Sequence, residues 1–463
     1  MSQHPLIQKV RFAASFRATH KGLWNLIVFA LGLALPAAAQ NPPATHTVPE
    51  RHFTVPPYVP TAVVVQTEPD AACDLHAAGV NNPSQSMRFY GNSEGYVRFH
   101  FTPLEDVQDA YLQLDCTAGG VVTTHPVHLR VAASPTVDMP APARSIPAPA
   151  GSTIRPALTD EAAELLSDED IIARGYPPRP NATESPDAYA NWLHGVSHSM
   201  TVLPPHAVSR SDIAHGRQGV TEGPLGETND HWSGFVAQGK KDSFRAVEGE
   251  WTVPLVHGST EPDCYSSIWV GLDGLPSNDV VQAGTEQDSA ILTKTGILEK
   301  YYVWTEAWPQ QPTATQIASI FPGDFIVVYV YVGDSKGNID PSGGYAWFTM
   351  QNQTDWEEYT TPPTKLGKSF GFSGTSAEWI IERPIVSGAF PELSDYSFLD
   401  LDGAYVLPAT GTTMETYSKA ASVQLTMRQN YDSPFLYDDN VLSTVTGDAY
   451  CSNCMVFYWK NFH

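Results

Sequence analysis

Apolar and polar positions alternate in short runs along most of the chain, the period of half-buried strands rather than of helices. Between Val63 and Val131 the runs Val63–Gln66, Gly95–Phe101, Tyr111–Leu114 and Val127–Val131 predict strands, with Tyr96, Arg98 and His100 alternating against Val97, Phe99 and Phe101. Beyond Asn229 the pattern predicts strands at Glu250–Pro254, Ser267–Leu272, Tyr301–Trp304, Phe325–Val332, Tyr345–Met350 and Glu378–Ile381. Clusters of Gly, Pro, Asp and Asn separate them, and no helix longer than two turns is expected there. Phe325–Val332 is apolar apart from its tyrosines, which predicts a strand buried on both faces. Many strands punctuated at regular spacing mean a sandwich or a barrel.

Helical period appears between these two regions. A patch over Asp160 to Ala173 is followed by a second helix, with Ser185 as its N-cap and Pro186 in its first turn. Tyr189, Trp192, Leu193 and Val196 then fall on one stripe, so this helix is expected to cover the larger domain's surface. Residues 133–158 carry six prolines among Ala, Ser and Thr, the composition of a semi-rigid linker.

The first residues read as an address. Arg17, His20 and Lys21 precede an apolar run from Leu23 to Leu35, then Pro36 and Ala37, Ala38 and Ala39. That is the pattern of a secretory signal peptide cleaved after Ala39, and the run falls short of the roughly 20 residues of a membrane span. The expected organisation is a signal peptide at 1–39, a small β domain at 40–132 and a Pro-rich linker at 133–158. A helical prosegment-like region at 159–228 and a β-sandwich at 229–463 complete it. The product is expected to be secreted, monomeric and free of the membrane once the leader is cut. Five cysteines in such a chain point to disulfides with one thiol left over. Cys73 and Cys116 are natural partners, Cys451 and Cys454 form a C-x-x-C read as structural, and Cys264 stands alone.

Charge narrows the function. Acidic residues outnumber basic ones 50 to 26, a net charge of −24, which excludes a nucleic-acid partner. With so few bases, the chain also escapes much of the self-repulsion that unfolds proteins in acid.

Several hydrolase signatures are missing: H-E-x-x-H, G-x-S-x-G, and the D-T-G or D-S-G of aspartic peptidases. Gly374-Thr375-Ser376 hints at a subtilase serine but lacks partner motifs. His231-Trp232-Ser233-Gly234, followed by Gly249-Glu250-Trp251-Thr252-Val253-Pro254, resembles the opening of the glutamic peptidases, the eqolisins. Trp269-Val270-Gly271-Leu272-Asp273-Gly274, Val281-Gln282-Ala283-Gly284-Thr285, Trp304-Thr305-Glu306 and Ala377-Glu378-Trp379-Ile380-Ile381-Glu382 resemble its later blocks, in family order. The resemblance spans roughly 229–463.

What the resemblance implies is an all-β catalytic domain, a two-sheet antiparallel β-sandwich of jelly-roll or concanavalin-like form. It implies an acid endopeptidase, insensitive to pepstatin, acting on polypeptide substrates without metal or organic cofactor. Its dyad falls on Gln282 and Glu378, and the matching positions Trp269, Asp273, Trp304 and Glu306 line the cleft. The chemistry is coherent: one carboxylate activates water and then protonates the leaving amine, and an amide N–H supports the oxyanion. Taken singly, each residue has a plainer reading, a strand Gln as a cross-strand bond and a Trp as core. Strand alternation places Trp304 and Glu306 on one face and Thr305 on the other. The helices between Asp160 and Ser199 are expected to cover the cleft through Arg174 and Arg179, with cleavage near 200–228. A second reading, a carbohydrate-binding or carbohydrate-hydrolysing sandwich, would pair Asp273 with Glu306.

Overall fold

The computed structural model describes residues 44–462 apart from 56–60, 69–70, 78–86, 92–94, 104–106, 132–150, 184–185, 206–208, 211–212, 216–220, 224–225, 260–263, 276, 293–295, 409, 411–412, 430–440 and 448–452. The leader, Ser185 and Cys451 lie outside the described residues.

Fourteen strands in the C-terminal half carry the argument: β1 Trp232–Gln238, β2 Phe244–Thr252, β3 Cys264–Asp273, β4 Val280–Leu292, β5 Gly296–Trp308, β6 Thr315–Ser319, β7 Phe325–Gly333, β8 Tyr345–Asn352, β9 Glu357–Thr360, β10 Ser376–Glu382, β11 Phe398–Pro408, β12 Ala421–Arg428, β13 Val441–Gly447 and β14 Met455–Trp459. A front sheet runs β12-β1-β10-β3-β4-β5-β6, every neighbour antiparallel. A back sheet runs β9-β8-β7-β2-β11-β14-β13-β12, also antiparallel, so β12 pairs into both.

The sheets pack face to face because each strand offers its apolar alternate to the other layer. Ala377, Trp379 and Ile381 of β10 and Ile268, Val270 and Leu272 of β3 meet Val247 and Trp251 of β2 and Val328 and Val330 of β7 in one core. Buried indoles there find partners, as a polar N–H out of water must. Trp251 Nε1 donates to Thr285 Oγ1 at 2.9 Å and Trp379 Nε1 to the Glu248 carbonyl at 2.7 Å. The all-β sandwich expected from the sequence is what forms.

Both outer faces are covered. The helical patch is two helices, α1 Asp160–Leu165 and α2 Asp168–Ala173, because the Ser167 side chain caps the second at Asp170 N. The third, α3 Pro186–Val196, lays Ala188 against Ala246, Tyr329 and Tyr405 on the back sheet. Here the expectation fails: α3 lies on the back sheet, the face opposite the predicted dyad, and α1 and α2 pack on α3 through Ala163 and Ile171 against Trp192 and Val196. Arg179 pairs with Asp168 inside the helical segment, and Arg155 rather than Arg174 reaches the domain, at Glu358. An apolar stripe specifies burial but not against which face.

The front face is covered by the N-terminal strands. Strand Tyr96–Pro103 pairs with Thr61–Gln66 and also with the start of β5, extending the front sheet. Strands Ala72–Ala77 and Asp109–Ala118 set Cys73 opposite Cys116, joined in a disulfide. One apolar cluster then runs from Val63, Phe99 and Leu114 to Trp269, Trp304 and Ile380 on the front face. Cys454 is also disulfide-bonded, and Cys264 is a free, buried thiol whose pKa burial pushes up to about 12.

Candidate active site

The site is one row of residues across the front sheet. Val236 of β1 is paired with Glu378 of β10, Glu378 with Gly271 of β3, Gly271 with Gln282 of β4, and Gln282 with Glu306 of β5. Residues directly opposite in an antiparallel sheet project to the same side, so all of these face outward together. Gly271 contributes no side chain between Glu378 and Gln282, and the neighbouring side chains close over it. A Cβ at Gly271 would lie 3.2 Å from Gln282 Cβ and 3.0 Å from a Trp269 ring carbon.

Hydrogen bonds orient the row. Gln282 Nε2 donates to Glu306 Oε2 at 3.0 Å, and Gln282 Oε1 is buried with no partner among the described residues. Ser376 Oγ donates to Glu378 Oε1 at 3.3 Å. The other Glu378 oxygen packs on Gly274, whose φ of +109° and lack of a side chain allow it: a Cβ there would sit 2.6 Å from Oε2. Burial, reinforced by the Glu382 carboxylate, holds the Glu306 pKa well above the usual value.

The row above holds the tryptophans, with Trp269 opposite Gly284 and Gly284 opposite Trp304. Trp269 Nε1 donates to Glu382 Oε2 at 2.7 Å and Trp304 Nε1 to Ser267 Oγ at 3.0 Å. Gln282, Glu378, Glu306, Trp304 and Trp269 therefore come together, all fully buried. Asp273, two residues beyond Gly271 on β3, is buried and holds a loop. Its carboxylate accepts from Ser373 N at 2.5 Å, Ser373 Oγ at 3.0 Å and Thr375 N at 2.9 Å, anchoring the loop that leads into β10. It is engaged in that loop and is not paired with Glu306.

Three side chains escaped sequence reasoning. His215 lies in the site, its ring stacked on Trp304 with centroids 3.8 Å apart and planes 9° apart. Its Nε2 is 3.3 Å from Glu286 Oε2 and its Nδ1 is 3.4 Å from Glu382 Oε2. Glu382 and Glu286 share the outward face with Glu378 and Gln282 by the same two-residue period, a signal the sequence did contain. His215 had no comparable signal, being 67 residues from Gln282.

The β-sandwich thus presents a carboxylate and an amide on one outward row, one glycine apart. Residues 230–445 match the model of the Peptidase A4 family, and this domain is a glutamic peptidase of that family. Among solved structures, one of Scytalido-glutamic peptidase with a peptide-based transition-state analogue is 16% identical, covering 50% of this chain and 99% of its own, with a TM-score of 0.39. One of SCP-B, a member of the eqolisin family, in a complex with the tripeptide Ala-Ile-His, is 15% identical over 50% and 99%, with a TM-score of 0.36. No curated protein matches the chain.

Proposed function

We propose that the protein is a secreted acid endopeptidase in which Glu378 and Gln282 are the catalytic dyad. The observation that carries this reading is the register Glu378–Gly271–Gln282–Glu306, which puts a base and an N–H donor on one row with only a glycine between them. Glu378 takes a proton from water as it attacks the peptide carbonyl, then returns it to the leaving amine. Gln282 Nε2, turned toward the cleft by its bond to Glu306, supports the oxyanion, and Oε1 is free to hold the water. A neutral amide beside Glu378 avoids the like-charge repulsion that a second carboxylate would bring.

The test is hydrolysis of a denatured protein near about pH 3 to 4, where a free Glu is partly ionised, with pepstatin present. Activity that resists pepstatin, disappears in Glu378→Gln and falls about a hundredfold or more in Gln282→Ala is the expected result. Activity that survives Glu378→Gln refutes the dyad. Secretion is checked by the N-terminus of protein recovered from culture medium, expected at Gln40.

A further inference from the structure

The cleft holds a stretch of the protein's own chain. Ser209–Arg210 pairs antiparallel with β6, and Ile213–Ala214 pairs antiparallel with Ile385–Val386 just beyond β10. Ala314 N donates to the Ile213 carbonyl at 2.9 Å. The chain is thus held by backbone bonds on both sides, as an extended peptide ligand is held. At His215 it meets the dyad row: His215 N donates to Glu306 Oε2 at 3.0 Å, and Gln282 Nε2 donates to the His215 carbonyl oxygen. That carbonyl belongs to the peptide bond joining His215 to Gly216. It occupies the donor that the proposed mechanism reserves for the oxyanion.

The His215 ring fills a matching pocket. Trp304 forms one wall by stacking, and Glu286 and Glu382 meet the two ring nitrogens. All four side chains are fully buried. The two ring nitrogens lie 3.3 and 3.4 Å from carboxyl oxygens at opposite ends of a flat slot, a shape that suits a planar ring with a polar atom at each end over a flexible ammonium. Burial lowers the imidazole pKa and raises that of Glu286, so the buried set favours its uncharged forms.

We propose that this pocket is the specificity site for the residue preceding the scissile bond, that it prefers histidine, and that the bond after His215 is the enzyme's first substrate. The proposal rests on the dyad reading above. In the self-cleavage step the oxygen of water bonds to the His215 carbonyl carbon and the bond from that carbon to the Gly216 nitrogen breaks. Glu378 carries the proton from water to that nitrogen, leaving a carboxyl group on His215 and an amine on Gly216. Until then Ile213–Ala214–His215 blocks the cleft.

The experiment incubates the full chain in acid and reads fragments by mass and N-terminal sequencing, beside Glu378→Gln. A new N-terminus at Gly216, absent in Glu378→Gln, is expected. The processed enzyme is then given peptides identical except for His, Ala or Lys before the scissile bond, with kcat/KM about tenfold or more higher for His, the scale of one well-filled pocket. This second measurement needs no substitution in the folded chain. A wild type that hydrolyses denatured protein through Glu378 while its own bond after His215 stays intact, or that shows equal kcat/KM for His and Ala, overturns the proposal and leaves the dyad standing. A wild type inert toward every substrate overturns both.

Discussion

Gln282 and Glu306 sit directly opposite each other on adjacent strands, and the Gln282 amide donates to the Glu306 carboxyl at 3.0 Å. This bond, together with the one from Nε2 to the His215 carbonyl oxygen, sets which end of the amide faces which way. With Nε2 committed to the Glu306 side, Oε1 is left as an acceptor with no protein partner among the described residues. Replacing Glu306 by Gln leaves the amide two ways to bond, so kcat is expected to fall while KM changes less. Steady-state kinetics on one peptide read the split.

Removing the dyad itself has a larger effect. Gln282→Ala takes away an oxyanion donor, a loss of about a hundredfold to a thousandfold in kcat. Glu378→Gln keeps the shape but removes the base, and activity is expected to vanish. Retained activity in the second variant rejects the assignment.

Gly271 is expected to tolerate nothing larger. A Cβ there would press on Gln282 Cβ at 3.2 Å and on Trp269 at 3.0 Å, so Gly271→Ala costs about 1–3 kcal/mol through overpacking. It also shifts the amide, and a displacement of about 1 Å can cost about a hundredfold in rate. Thermal unfolding and kcat measured together check it; a variant as stable and active as the parent refutes it.

Asp273 is expected to act through the loop it holds. Asp273→Ala strands Ser373 N and Thr375 N, a cost of at least about 2 kcal/mol, and frees the segment leading into β10. Asp273→Asn, which keeps one acceptor, restores part of it. If both variants match the parent in urea, the anchoring role is wrong.

Stability is expected to be greatest in acid. Burial holds the Glu248, Glu286 and Glu306 pKa values well above the ordinary 4.5, and burial with the Asp402 charge holds Glu250 at about 8. Each raised group keeps its proton in the folded chain at pH values where the unfolded chain has released it. Its contribution is therefore fully present below about pH 4.5 and is lost as pH climbs, for Glu250 through about 8. Each such group weighs about 1.4 kcal/mol per pH unit while it titrates. Urea midpoints should fall steadily from pH 4 to pH 8; a flat or rising series contradicts this.

Much of the front sheet was legible in the chain because strand period is local. Residues two apart share a face, so Ala377, Trp379 and Ile381 go inward and Glu378 and Glu382 outward whatever the partner strand. The strand positions followed from such short-range patterns, and the two-sheet sandwich from the resemblance that the motif blocks carry. Register and cover did not. That Glu378, Gly271, Gln282 and Glu306 share one row depends on how four strands slide past each other, which the whole core settles at once. The stripe on α3 announced that it must be buried, but only the tertiary structure packed Trp192 and Val196 with Ala163, Ile171 and Tyr176 and set Ala188 against the back sheet. His215 reaches Trp304 for the same reason: a short extended segment has no preference of its own and goes where unpaired strand edges and a flat aromatic wall accept it.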